Sequence, residues 1–410
     1  MARLRNLFLS VLLIVVIPSN AQQQPKTDAG AVQATTPTVP RKHWYESFNI
    51  RGYGQIRYNR LLETNEKFKC EQCDKSIGEG GGFFLRRARV IIYGQVHPRV
   101  YIYLQPDLVS SAGSTNHIGQ VRDWYMDVGL DKANEFRFRI GQSKVPFSFE
   151  NMQSSQNRLP LDRADPTNSA ASNERDLGVF FYWAPKRIRE RFKMLVDDGL
   201  KGSGDYGVVA IGAFNGQTAN RTEANNERHF VARITWPFTF RSQIVEPFVA
   251  AYTGKYVVTA DQRSAGVKGA RDWNYDDSRL LGGLCWYPKP VGFLAEYNSG
   301  RGPEFNTVTD SIETRDLNGG FITAMGMFRI GKQIFLPFAR YQVYEGGKKH
   351  ELDARSYTVN DFEFGLEWQP VKNFELVCEY YMGDRRFEDF AKQDNKQKGQ
   401  FLRLQAQFNF

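Results

Sequence analysis

Beyond its first two dozen residues, this 410-residue chain has no apolar stretch approaching the roughly 18 residues that a membrane-crossing helix needs. Helical membrane spans are excluded, although a mean hydropathy of −0.50 would suit a soluble protein equally well. Histidine and cysteine are scarce, at five and four residues. His43 precedes the first patterned segment, His97 falls in a turn, His117 and His350 fall in loops, and His229 has the inward parity of its strand, so no triad spacing emerges. A barrel hydrolase is disfavoured, and the chain is read as a non-enzyme. Cys70 and Cys73 are spaced for a small disulfide in an oxidising setting or for half a metal site. No second ligand pair is evident, so neither a metal nor a cofactor is expected, and no nucleic-acid partner is expected either. Cys285 and Cys378 read as small fillers, one facing inward and the other outward on distant strands.

Aromatic residues make up 14% of the chain and glycine supplies 36 positions. They fall within repeated alternating runs of about ten residues, the length that crosses a bilayer as a tilted strand. The final run shows the pattern plainly. Leu402, Leu404, Ala406, Phe408 and Phe410 share one face, and Arg403, Gln405, Gln407 and Asn409 share the other. At the opposite end, a cationic start with Arg3 and Arg5, an apolar core from Leu7 to Ile17 and the small residues Ser19-Asn20-Ala21 form a secretory signal peptide over 1–21. Cleavage is expected after about Ala21. Residues 22–45 follow as a flexible periplasmic leader, and 46–410 as an all-β transmembrane barrel of the bacterial outer membrane.

Alternating runs lie near 48–60, 84–96, 99–107, 120–130, 135–143, 176–184, 205–214, 229–236, 244–254, 278–287, 291–299, 318–330, 334–344, 359–369, 373–382 and 400–410. That makes sixteen antiparallel strands, an even number as bacterial single-chain barrels have. Short gaps such as His97-Pro98 and Pro288 to Pro290 alternate with long ones rich in Gly, Asn, Asp and Lys, which assigns the short gaps to the periplasm and the long ones to the exterior. Residues 185–204 break this rule and read as a small helix or a strand extension. Trp183, Trp236, Trp286 and Trp368 each close a descending strand just before a proline, the pattern of an interfacial aromatic girdle.

Parity then sorts the charges. Arg51 and Arg57 of the first strand, Arg87 and Arg89, Arg137 and Arg139, Arg233 and Arg403 all point toward the lumen, while Arg86 falls on the outer parity near the rim. A mid-bilayer arginine on the lipid face costs about 2–4 kcal/mol, so the watery side is strongly preferred. Glu296, Glu363, Glu367, Glu375 and Glu379 also turn inward, setting an acidic wall from late strands against a basic wall from early ones and the closing one. Such walls would place a transverse field across the pore. The long 144–175 connection, with Lys144, Arg158, Asp162, Arg163, Asp165, Glu174 and Arg175, is the candidate constriction, folded either inward or over the surface.

Four motifs, Phe84-Leu-Arg-Arg-Ala-Arg89, Ile140-Gly-Gln-Ser-Lys-Val-Pro-Phe147, Asn173-Glu-Arg-Asp-Leu-Gly-Val179 and Pro337-Phe-Ala-Arg-Tyr-Gln342, resemble the phosphate-selective porin O and P family in order and spacing. The resemblance covers the chain from about residue 46 onward. It implies a sixteen-stranded barrel in a homotrimer, with basic residues guiding anions past an inward-folded third long loop. Arg87, Arg89, Lys144 and Arg175 are the basic positions within matching motifs. It also implies contact with lipid and lipopolysaccharide, and reading of Phe410 by the barrel-assembly machinery. The fifth long loop departs from the phosphate-specific members, because Lys255, Arg263, Lys268 and Arg271 are scattered among acids. The expected function is therefore passive diffusion of small, preferentially anionic solutes. A phosphate or polyphosphate channel is one alternative, and a surface adhesin or interaction platform is the other.

Overall fold

The chain is described by a computed structural model over residues 43–62, 82–112, 115–171 and 174–410. The signal-peptide and leader assignments over 1–42, together with Cys70 and Cys73, lie outside the described residues. Trp44–Ser47 forms a single 3-10 turn that leads into the barrel.

All sixteen strands are present. The first half comprises β1 (Phe48–Leu61), β2 (Gly82–His97), β3 (Val100–Ala112), β4 (Thr115–Gly129), β5 (Phe136–Lys144), β6 (Arg175–Trp183), β7 (Val209–Phe214) and β8 (His229–Thr235, resuming at Phe238–Phe240). The second half comprises β9 (Gln243–Val257), β10 (Asn274–Trp286), β11 (Val291–Asn306), β12 (Ser311–Gly326, resuming at Phe328–Ile330), β13 (Gln333–Gly347), β14 (Ser356–Val371), β15 (Phe374–Glu388) and β16 (Lys396–Asn409). Pro237 explains the break in β8, since it has no N–H to give the ladder. Each strand pairs antiparallel with its neighbours in sequence, and β1 pairs with both β2 and β16, so the sheet closes on itself.

Closure gives every described strand a partner on both sides, as a barrel requires. The seam runs from Tyr53 opposite Asn409 to Leu61 opposite Phe401, and Phe410 extends it by exchanging backbone hydrogen bonds with Gly52 at 2.8 and 3.0 Å. The ring of Phe410 lies over Gly52 and that of Phe408 over Gly54, places where a Cβ would collide with the ring.

The period-two pattern has its expected consequence on the outside. Ile50 is 70% exposed, and Phe230, Ile234, Leu280, Phe364, Leu404 and Phe408 are exposed in the same row of each strand. These face lipid. Trp183, Trp286 and Trp368 stack against Phe136, Phe293 and Phe335 at 6.1–6.4 Å between ring centroids, Trp286 and Trp368 near the ends of strands that precede short turns and Trp183 at the end of the strand before residues 185–208.

Several strands run further than alternation predicts. The connection expected over 300–317 shrinks to the turn between Asn306 and Ser311, because β11 and β12 continue pairing past the lipid zone. Above the membrane both faces are wet, and pairing no longer requires apolar alternation.

Residues 185–208 include a helix, α3 (Lys186–Asp197), numbered after two single turns in the preceding loop, α1 (Phe149–Met152) and α2 (Asp165–Asn168). Ile188, Phe192 and Leu195 recur at helical spacing on one face of α3 and are buried, while Lys186, Arg187, Glu190 and Lys193 are exposed. The buried face joins Phe180, Phe248, Leu281, Phe321 and Leu336 from the barrel's inner rows in one apolar cluster. Burying three such side chains stabilises by roughly 5–9 kcal/mol as an upper bound. The periplasmic insertion therefore packs into the barrel mouth.

Candidate permeation site

The loop between β5 and β6 lies inside the barrel. Residues 145–153 and 158–162 are buried, and the loop bonds to inner-row side chains from strands all around the wall. Glu296 of β11 accepts hydrogen bonds from the N–H groups of Phe149 (3.2 Å) and Glu150 (2.8 Å) at the start of α1. Glu379 of β15 accepts from Leu161 N (2.9 Å), and Gln342 of β13 from Asp165 N (2.8 Å). Arg279 of β10 donates to the carbonyls of Pro166 and Ser169 at 3.2 and 3.1 Å. On the opposite wall, the hydroxyls of Tyr53 and Ser155 are 2.7 Å apart. Ser148 starts α1 in a left-handed conformation (φ 69°) and caps it by accepting from Asn151 N at 3.2 Å, which turns the chain sharply into the lumen.

Ion pairs complete the seating. Asp162 receives Arg57 at 2.7 Å, Arg403 at 2.6 Å and Arg86 at 3.1 Å. Burial alone would raise its carboxyl, but these guanidiniums hold it well below the usual carboxylate range. Asp165 is pulled down in the same way, against burial, by Lys348 and Arg385. Glu150 pairs with Arg340 at 2.8 Å, and Arg340 also bonds Glu363. Arg163 and Arg175 both pair with Glu174, and Arg175 reaches Asp123 at 2.8 Å. Against burial, the Glu174 carboxyl is again held low by its cationic neighbours.

The acids of the late strands are inner-facing but do not form an open wall. Glu296 and Glu379 hold the loop backbone, Glu363 lies between Arg340 and Arg403, and Glu367 pairs with Lys201 at 2.7 Å. Glu375 accepts from Gln407 (2.9 Å) and Asn409 (3.2 Å). Glu363, Glu367 and Glu379 are matched by cations and Glu296 and Glu375 only by neutral donors, so the acidic wall expected from parity is partly neutralised in place.

The inward-facing cations fall into two groups. Arg57, Arg89, Arg137, Arg139, Arg233 and Arg403 all have carboxylate partners, including Arg89 on Asp107 at 2.8 Å, Arg139 on Asp127 at 2.7 Å and Arg233 on Glu246 at 3.2 Å. Among the described residues, Arg51, Arg87, Lys144, Arg158 and Arg279 have no carboxylate within 4 Å. Arg51 lies 5.5 Å from the centre of the Tyr93 ring. Arg87 donates to Gln55 Oε1 at 2.7 Å, Lys144 to the Met152 and Gln153 carbonyls, and Arg158 to those of Pro160 and Leu161.

Parity misplaced one residue. Arg86 turns inward to Asp162 because the β1–β2 register shifts between Gln55 and Ile56, a bulge that adds one residue to β2 and sends both Arg86 and Arg87 to the lumen side. Sequence reasoning also passed over Arg340, Arg385, Arg279 and Lys201. Arg340 alternates with the exposed Tyr341, so its signal was present. Lys201 sits in coil, where no period operates.

Inner-row exposure is uneven. Arg51, Tyr93, Tyr101, Tyr103, Arg122, Tyr125 and Asp127 on β1–β4 are half-buried, whereas Glu246, Asp277, Glu296, Arg340 and Glu363 on later strands are fully covered. A cavity of about 320 Å³ opens beside β2–β5 and α3.

The family model for phosphate-selective porin O and P matches residues 67–410. The chain belongs to the phosphate-selective porin O and P family. This porin is an outer-membrane channel protein, and its family and fold are those of channels. No curated protein matches its sequence. Among solved structures it is similar to the outer membrane channel DcaP of Acinetobacter baumannii (14% identity, 88% of this chain and 97% of that one, TM-score 0.54). It is also similar to an anion-selective porin from Comamonas acidovorans (9%, 89% and 99%, TM-score 0.54) and to Vibrio cholerae OmpT in its trimer form (10%, 88% and 99%, TM-score 0.50). At these identities the likeness is one of fold.

Proposed function

We propose that this porin passes small hydrophilic anions by passive diffusion, without covalent chemistry, along a path beside β1–β5. One observation carries the reading: among the described residues the inner-facing Arg51, Arg87, Lys144, Arg158 and Arg279 have no carboxylate partner, while of the inner-facing acids of β11, β14 and β15 Glu363, Glu367 and Glu379 are paired with cations and Glu296 and Glu375 are bonded to neutral donors. Unmatched cations thus outnumber unmatched acids. Arg51 stands on the wall left half-open to water, beside Arg86 and Arg122, which pair with Asp162 and Asp107, and beside the acid Asp127. A positive potential along a low-dielectric wall concentrates anions and weakens with salt. The loop at 145–174 narrows the path, with Asp162 and Glu174 as its anchors.

A phosphate-specific channel is the less favoured reading. Lys255 pairs with Glu227 at 3.6 Å and Arg263 lies over Trp273 at 4.2 Å, so these fifth-loop cations do not converge on one point. Assembly as a homotrimer and export by a signal peptide cleaved after about Ala21 complete the proposal, the former supported by the trimeric form of a structural relative. Planar-bilayer recording under a salt gradient tests it. Open channels whose reversal potential favours chloride over potassium, with the preference reduced in Arg51→Ala/Arg87→Ala, are the expected result. Absence of channels, or strong cation selectivity, would overturn it.

A further inference from the structure

The cavity of about 320 Å³ at the periplasmic mouth is bounded by β2–β5 on one side and by the insertion carrying α3 on the other. Four guanidiniums line it, from Arg99, Arg137, Arg139 and Arg189, against the two carboxylates of Asp127 and Asp205, so it holds an excess of two positive charges.

The carboxylates are already engaged. Asp127 takes Arg139 through two hydrogen bonds of 2.7 and 2.9 Å, and Asp205 takes Arg137 at 2.7 Å and Arg189 at 2.8 Å. Arg137 is 3% exposed, and its Nη1, itself closed to solvent in this arrangement on the side of the Tyr182 ring, has no hydrogen-bond partner among the described residues. A buried guanidinium N–H left unpaired is costly, and here it belongs to a side chain that faces an open cavity. Arg99 at the rim makes a long 3.4 Å hydrogen bond to the Leu130 carbonyl and has no carboxylate partner among the described residues.

The remaining wall is aromatic. Tyr125 is covered on one side by Arg139 at 3.9 Å and on the other by Tyr103, stacked at 5.1 Å. Tyr101 keeps more of its ring free, with Tyr93 tilted against it at 6.4 Å. A cavity of this size falls in the range of small-molecule sites. An oxyanion occupying roughly two to three water volumes of about 30 Å³ each would leave most of it unfilled.

We propose that this cavity is a binding site for a small organic anion in which a carboxylate, held by Arg137 and Arg99, is attached to a flat ring that lies against Tyr101. The site deepens the anion-channel reading by naming a solute class, and rests on it only for its physiological meaning. It places a resting point where a solute meets the periplasm, after the constriction loop and beside an element that barrels with short turns lack.

Calorimetric titration of the detergent-solubilised full chain with benzoate tests the site independently of conduction. Saturable one-to-one binding is expected, at least tenfold tighter than for benzyl alcohol or inorganic phosphate. Arg137→Gln should weaken it at least tenfold. Arg99→Gln and Tyr101→Leu, at a rim and a half-buried position, should each weaken it several-fold in barrels that retain their thermal transition. No saturable benzoate binding, equal binding of phosphate, or binding unchanged in Arg99→Gln and Tyr101→Leu would overturn the site. A barrel that conducts anions but binds no benzoate rejects this site alone, whereas one that binds benzoate but does not conduct keeps the site and rejects the channel.

Discussion

The two halves of the barrel wall use the same alphabet for different ends. Along β1–β5 the inner row mixes arginine and aspartate with tyrosine, and although Arg57, Arg89 and Arg137 are covered, Arg51, Tyr93, Tyr101 and the stacked pair Tyr103 and Tyr125 stay half-open. Along β9–β16 the inner row mixes glutamate, aspartate and arginine with Phe248, Leu281, Phe321 and Leu336, and is covered. The late half is a dock, and the early half is the wall along which the proposed path runs. An inward-facing charge therefore gives a side chain's address but not its task. Only an opposite charge cancels a charge: Glu363 and Glu379 are matched by guanidiniums, whereas Glu296 on two N–H groups and Arg87 on an amide oxygen each still project a field.

Removing residues 147–171 and bridging the gap with a short glycine-serine link should have the largest effect, since it takes away what the late half holds. Single-channel conductance should rise several-fold, and Arg57, Arg340, Lys348 and Arg403, released from Asp162, Glu150 and Asp165, should shift reversal potentials further toward anions. Unchanged selectivity would mean that the released cations do not reach the path.

Cutting one anchor is the next largest. Glu296→Leu leaves the N–H groups of Phe149 and Glu150 without their acceptor, at a cost of about 1–3 kcal/mol each. A lower thermal transition and faster proteolysis within 145–174 are expected, while an unaltered melting profile would show that the ion pairs alone seat the loop.

Acid probes the insertion between the halves. Burial raises the Asp205 carboxyl, but Arg137 and Arg189 outweigh it and bring it down to about 2. Because the folded value lies below the ordinary one near 3.9, the pair's contribution is present above about pH 4 and fades as pH falls toward 2. The loss is roughly 2–3 kcal/mol at most. Hydrogen exchange of α3 should quicken across that window, and Asp205→Asn should flatten the change.

The smallest effect belongs to the outer rim. Arg301 and Asp316 pair at 3.2 Å with side chains 59% and 88% exposed, so removing both should leave melting and selectivity unchanged. A measurable shift would assign the rim a share in the wall's selectivity.

Much of this architecture is legible because lipid on one face and water on the other enforce a strict alternation. That constraint placed every strand and turned Arg57, Arg89 and Arg403 inward. It fails where the constraint lapses. Arg86 escaped because a bulge shifts parity by one, and Ser311 to Leu317 read as loop because above the membrane both faces of β12 are solvated. The pairing of Asp162 with Arg57 and Arg403 joins residues 105 and 241 positions apart through a coil segment, and no local pattern encodes that distance. Likewise α3 has a clear helical stripe, but the direction in which that stripe points depends on the apolar cluster that receives it.

The two glycines facing the last strand solve a problem that alternation leaves open. A one-residue slip at the seam would send apolar side chains inward and is rejected at once, but a two-residue slip keeps every face correct. Gly52 and Gly54 remove that degeneracy. In register, the Phe410 and Phe408 rings settle over bare backbone, whereas a slip that set Phe408 opposite Ile56 would drive an aromatic ring into a branched side chain. The barrel thus carries a lock-and-key check at the place where two strands some 350 residues apart must find each other, so that its circumference closes at one length.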